Sequence, residues 1–302
     1  MFDRVNQQGI YWDKFWPLVD GCTPAGPECI NCWRARYQHR FDGTRTKPEM
    51  ENLTKWNGSF SGVIRPRMDL INLPLHAKKP RVWFVLNDLY HENVPADFIV
   101  NAYEVMSEAK QHIFIVCTKR PERIVPVLYG EEGRFYLGGG DYHSNIWHMT
   151  TAGNQEMADK RIPELLKLRE ASPGWPVLGA SIEPMLGPID LMTINGAIDE
   201  WWTDKHGHLI DIDRAKNGLN WIVLGGESGP GARPMHPGWA RKVRDDCQAA
   251  GVSFLFKQMF IKRGYEKVPH KTRLLDGRTW NELPEASYGY LMNEAKEKWE
   301  VK

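Results

Sequence analysis

The 302-residue chain has no run of about 18 uncharged apolar residues, so no membrane-spanning helix is expected. Its opening residues, Met1-Phe2-Asp3-Arg4, lack the apolar core of a secretory signal, which points to the cytoplasm. Neither sign of charge is in excess. Lys and Arg number 39 against 38 Asp and Glu, so a net charge of +1 implies no broad polyanion-binding field, although a local basic patch remains open. Repeats and low-complexity tracts are absent, which excludes a repeat architecture. Cysteine is scarce at five residues, and in a reducing compartment clustered thiols serve metals or catalysis more often than disulfides. The 13 tryptophans and 42% hydrophobic residues are enough for a substantial core, in one large domain or two ordinary ones.

Three of the five cysteines fall within eleven residues, Cys22, Cys29 and Cys32, spaced C-x6-C-x2-C. They lie between an aromatic run (Tyr11, Trp12, Phe15, Trp16) and a predicted helix from Trp33 to about Phe41. Pro24, Gly26 and Pro27 argue against a helix here, leaving a loop able to fold its thiolates around one centre. Soft thiolates suit iron–sulfur clusters and zinc alike. A set of plain thiols is the bland alternative. Cys117, at a strand end, and Cys247, in a helix, read as small core residues.

Short, nearly continuous apolar runs predict about eight strands: Ile10–Trp16, Gly62–Arg65, Arg81–Leu86, His112–Cys117, Asn145–Thr150, Pro176–Ser181, Asn220–Leu224 and Val252–Phe256. Runs of this kind belong to strands buried on both faces of a parallel sheet. Helices are predicted at Pro95–Lys110, Pro121–Leu128, Asn154–Arg169 and Pro237–Ala250. The alternation indicates an α/β fold, a parallel (β/α) barrel of TIM-like form with about eight strands. Residues 190–217 break the alternation and read as an insertion or lid. The barrel with its cysteine loop is expected over residues 1–262, with a C-terminal extension, 263–302, packed on it.

Polar residues follow six of the strands. Asn87 and Asp88 follow the third, Thr118, Lys119 and Arg120 the fourth, and Thr150-Thr151 end the fifth. Glu183 follows the sixth, Gly225-Gly226-Glu227-Ser228-Gly229 the seventh, and Lys257 and Gln258 the eighth. A parallel barrel brings all these positions to one mouth, where such folds place their sites. Any one of them could simply mark where the chain re-enters solvent; the recurrence over six strands favours a shared site. The glycine-rich turn lacks G-x-G-x-x-G spacing and comes too late in the chain for a Rossmann site. His91, His143, His148 and His236 are further candidate bases, with nothing to fix their geometry.

The motifs Gly21-Cys22…Cys29-x-x-Cys32, Asn87-Asp88-Leu89-Tyr90-His91-Glu92, Thr118-Lys119-Arg120-Pro121-Glu122-Arg123, Ala158-Asp159-Lys160-Arg161-Ile162-Pro163, Ser181-Ile182-Glu183-Pro184 and Gly225-Gly226-Glu227-Ser228-Gly229 together resemble the phage-associated three-cysteine-motif family, a group without an assigned activity. The resemblance covers about residues 10–260. That family is in turn distantly similar to radical S-adenosylmethionine (SAM) enzymes. The usual cysteine spacing there is C-x3-C-x2-C with an aromatic before the last cysteine, where this chain has Asn31; and their Gly-Gly-Glu follows the second strand, not the seventh.

The resemblance implies a radical-SAM-like enzyme in which Cys22, Cys29 and Cys32 hold a [4Fe–4S] cluster. In this reading the strand-end positions assign Asp88, Lys119, Glu183 and Lys257 to catalysis, and Arg120, Glu183, Gly225, Gly226, Glu227 and Ser228 to SAM binding. The expected partners are a nucleic acid or nucleotide substrate, from the phage association, and a partner protein or electron donor; no membrane is expected. The alternative is a zinc site of three cysteines, with or without His39, in a nucleic-acid-binding module or hydrolase. A redox-sensing iron–sulfur protein that never uses SAM is a third class.

Overall fold

The computed structural model describes residues 8–130, 144–172, 176–198, 218–261 and 270–284. Its centre is an eight-stranded sheet in which strand order follows chain order. The strands are β1 (Lys14–Trp16), β4 (Val82–Val85), β5 (Ile113–Thr118), β6 (Ile146–Thr151), β7 (Val177–Ile182), β8 (Trp221–Gly225), β9 (Ser253–Ile261) and β10 (His270–Thr272). All pairings from β1 to β9 are parallel; only β10 runs antiparallel to its neighbour. Two further strands, β2 (Val19–Asp20) and β3 (Arg65–Pro66), form a separate antiparallel pair beside the cysteine loop. The weak Gly62–Arg65 expectation thus becomes β3, outside the main sheet.

Helices α1 (Trp33–Phe41), α2 (Ala96–Glu108), α3 (Ile124–Tyr129), α4 (Gln155–Leu166), α5 (Leu168–Ala171) and α6 (Pro237–Ala249) fall at the segments expected to be helical. The predicted Asn154–Arg169 helix breaks at Lys167 into α4 and α5. Its start was legible, because the Asn154 side chain accepts from the Met157 N–H at 3.0 Å as an N-cap.

Strand residues alternate between two cores, as a pleat requires. Phe114, Val116, Leu178, Ala180, Ile222, Leu224, Phe254 and Phe256 join the larger core with the helices. Ile113, Ile115, Trp147, Met149, Val177, Trp221, Val223 and Leu255 face the other way and pack on one another and on Tyr11. The Tyr11 ring lies 5.2 Å from Trp221 of β8 and 6.1 Å from Phe84 of β4, so the sheet rolls around this inner core.

The roll does not close into a barrel. The outer edge of β9 is already engaged: β10 pairs with its end, and the Phe256 N–H donates to the Trp280 carbonyl at 2.9 Å. The Glu282 N–H donates to the Phe254 carbonyl at 3.1 Å, leaving no free edge for β1 to reach. Of the expected insertion, residues 190–198 carry one short 3-10 turn, Leu191–Thr193; the rest of it lies outside the described residues. So does the extension beyond residue 284. Among the described residues no helix is long and apolar enough to cross a membrane.

Candidate functional site

Because the seven strands β1 and β4–β9 are parallel, their carboxyl ends share one end of the sheet, and a cavity of about 1380 Å3 opens there. The cysteine loop forms one wall, with Cys22, Cys29 and Cys32 all lining it. Asp88, Lys119, Glu183, Glu227, Ser228 and Lys257 line it too, with Gly226. Gly225 and Arg120 do not; Gly225 ends β8 and Arg120 is turned behind the loop. Cys117, read from sequence as core, also borders the cavity, half-buried.

The chain enters the loop through Gly21, at φ +83°, where a Cβ would stand 1.8 Å from the Val63 carbonyl oxygen; only glycine fits. Three clamps, each built on an ion pair, then bolt the loop to the strand ends. At Thr23, Arg120 donates to the Thr23 hydroxyl at 2.6 Å and to Asp88 at 2.7 Å. Asp88 is fixed in turn by the Thr118 hydroxyl at 2.6 Å. At Glu28, whose side chain is fully buried, Arg161 of α4 donates to the carboxylate at 2.9 Å and to the Ala25 carbonyl at 2.6 Å. The Gly153 N–H donates to the same carboxylate oxygen at 2.9 Å, and the second oxygen has no protein partner.

At Asn31 the side-chain amide donates to Glu227 at 2.9 Å, and Arg233 clamps that carboxylate with two N–H donors at 2.9 and 2.6 Å. Burial works against the Glu227 charge, but the hydrogen bonds from Arg233 and Asn31 outweigh it and lower its pKa to about 2. Asp88, Arg120 and Glu227 are thus engaged in holding the loop. Glu28, Asn31 and Arg161, which hold it equally, received no role from the sequence. A carboxylate between Pro27 and Cys29 was the one available signal, since it sits where the loop must turn inward.

Facing the cavity itself, Lys257 and Glu183 pair at 2.9 Å, and the Tyr11 hydroxyl donates to Glu183 at 3.1 Å. Lys119 differs from the other charges named here: its backbone N–H donates to Asp88 at 3.4 Å, but among the described residues its ammonium makes no hydrogen bond or ion pair. Burial opposes its charge, but Cys29, Cys117, Cys32 and Asp88 around it raise its pKa above the usual lysine value. The Cys22 thiol is pushed up to about 12 by burial and by Asp88, against the opposing pull of Arg120 and Lys119.

The thiols share a wall without converging on a point. Among the described residues no three His, Cys, Asp or Glu side chains are grouped as a metal ion requires. His39 borders the cavity but bonds Thr54 at 2.9 Å. His91 is buried and its Nε2 is bonded to the Thr23 hydroxyl at 2.8 Å; His148 is buried on β6; His236 caps α6 by accepting from the Gly238 N–H. His143 lies outside the described residues.

Fold and site together define an α/β protein whose open, mostly parallel sheet carries a cysteine-loop cavity at its strand ends. The chain belongs to the DUF5131 family, described as a protein of unknown function, whose family model matches residues 7–284. No curated protein and no solved structure matches it.

Proposed function

We propose that this protein is a radical-SAM-like enzyme, with a [4Fe–4S] cluster on Cys22, Cys29 and Cys32 and SAM beside it. The observation that carries this reading is the shared wall: three loop thiols and the unpaired Lys119 ammonium border one cavity at the strand ends. A rolled parallel sheet with its cysteine loop after the first strand supports a partial (β/α) barrel of the radical SAM kind.

The donor set suits a cluster better than a single ion. Tetrahedral zinc at about 2.3 Å from each sulfur draws its thiolates into mutual contact, whereas a four-iron cube holds them farther apart. The loop offers three thiolates, and His39, the candidate fourth ligand of a zinc site, is bonded to Thr54 instead. When bound, such a cluster offers SAM an iron without a protein ligand and supplies the electron that cleaves it.

The chain's own residues then have separable tasks. Lys119 meets the carboxylate of the cofactor, since no protein acid occupies it. Glu183, held by Tyr11 and Lys257, faces the cavity with a carboxylate for an ammonium group, and Gly226 and Ser228 form the adjoining wall. Asp88, Arg120 and Glu227 act through the loop as positioning residues.

Anaerobic reconstitution tests the reading. About four irons and matching sulfide per chain are expected. The Cys22→Ala, Cys29→Ala, Cys32→Ala triple variant should lose them, while Cys117→Ala retains them. Stoichiometric zinc without iron would overturn the proposal, as would a fully loaded cluster that neither binds SAM nor releases 5′-deoxyadenosine.

A further inference from the structure

A row of aromatic rings lines the same cavity and leads outward to Trp33, the residue after Cys32. Phe84 lies 5.3 Å from Trp12, Trp12 5.3 Å from Phe15, and Phe15 6.0 Å from Trp33, with interplanar angles of 49°, 36° and 33°. Exposure rises along this row, to 37% at Phe15 and 54% at Trp33, with Ile30, within the loop, at 73%. Large apolar side chains grouped at the mouth of a cavity signal a binding surface.

The charges around the same cavity are unbalanced. Its acids Glu28, Asp88, Glu183 and Glu227 are each paired, with Arg161, Arg120, Lys257 and Arg233. The lining cations Arg36, Lys119 and Lys271 have no acidic partner among the described residues. A ligand that complements this wall therefore carries planar rings and negative charge together. The cavity, at about 1380 Å3, also exceeds the roughly 300–1,000 Å3 of an ordinary small-molecule site, so it has room beyond one cofactor.

From these features we infer that the cavity mouth binds single-stranded nucleic acid, its bases stacking on the Trp12–Phe15–Trp33 row and its phosphates meeting Arg36 and Lys271. Aromatic platforms with dispersed cations are how unpaired strands are held, because every base has a face to stack while a duplex hides it. The surface stands on the wall alone and does not depend on a bound cluster.

Fluorescence anisotropy of the full-length protein with a labelled twelve-nucleotide oligothymidylate, and separately the matching oligouridylate, tests it. Binding of either strand is expected, at least tenfold tighter than a duplex of equal length; preference between the two identifies the sugar. Trp33→Ala should weaken binding about tenfold, Trp33→Phe should restore most of it, and Lys271→Ala should lower the salt slope by about one. No binding, a duplex bound as tightly as the strand, or indifference to both Trp33→Ala and Lys271→Ala would overturn the inference. Iron and sulfide analysis of the same sample separates the two readings. Strand binding by protein that takes up no iron after reconstitution overturns the cluster alone, and a loaded cluster without strand binding overturns this surface alone.

Discussion

Behind the cysteine loop, carboxylates and guanidinium groups meet in buried pairs; across the mouth, rings and cations stand open to solvent. The first region is closed on itself. Glu28 and Arg161 are 0% and 3% exposed, and each of the three clamps joins the loop to a different strand end. The second leaves Trp33 half in water, and Lys119 faces thiols with no acid in ion-pair reach. Charges alike in sequence are therefore unlike in setting: those paired behind the loop give it its shape, while the Lys119 ammonium faces the cavity without a partner among the described residues.

The largest effect should come from breaking the closed region at its most buried point. Arg161→Ala leaves the Glu28 carboxylate uncompensated in the interior, at about 3–5 kcal/mol of stability, measurable as a lowered urea midpoint. An effect below about 1 kcal/mol would mean that the pair is not a structural clamp.

An intermediate effect is expected from pH. The folded-state pKa of Glu227 lies at about 2, below its unfolded value near 4.3, so its stabilisation is present above about pH 5 and fades as pH falls toward 2. Wild type should lose about 2 kcal/mol more than Glu227→Gln between pH 5 and pH 2.5, read by chemical unfolding at both values. Equal losses would remove Glu227 from the clamp.

The smallest effect belongs to the open region. Trp33→Ala should change unfolding stability by no more than about 0.5 kcal/mol, because the ring is more exposed than buried. A large loss would show that the aromatic wall is core after all.

The strands were readable because each is a continuous apolar run between turn residues, and β5 to β8 lie within a residue or so of their expected bounds. Closure was not readable. What blocks it is backbone pairing by His270–Thr272 and by residues 280–282, a stretch with no apolar pattern of its own. At the site, Thr118, Lys119 and Arg120 received one common reading as strand-end polar residues, yet the chain turns them three ways: onto Asp88, into the cavity, and behind the loop. The direction of each depends on partners far off in sequence. The same reason hid the Glu28–Arg161 pair, whose members are 133 residues apart.

Those separations also set an order of assembly. The loop is made early, while its three clamps close on residues 97, 133 and 196 positions downstream of Thr23, Glu28 and Asn31. At a synthesis rate of about 5–20 residues per second, roughly 10–40 s pass between Asn31 and the partner that pins it. The clamps become available in the order in which the loop presents its own residues, so it can dock progressively from Thr23 toward Asn31. Until Glu227 emerges, the end of the loop from Asn31 into Cys32 lacks its clamp on the nascent chain, so this corner of the cavity wall is set last.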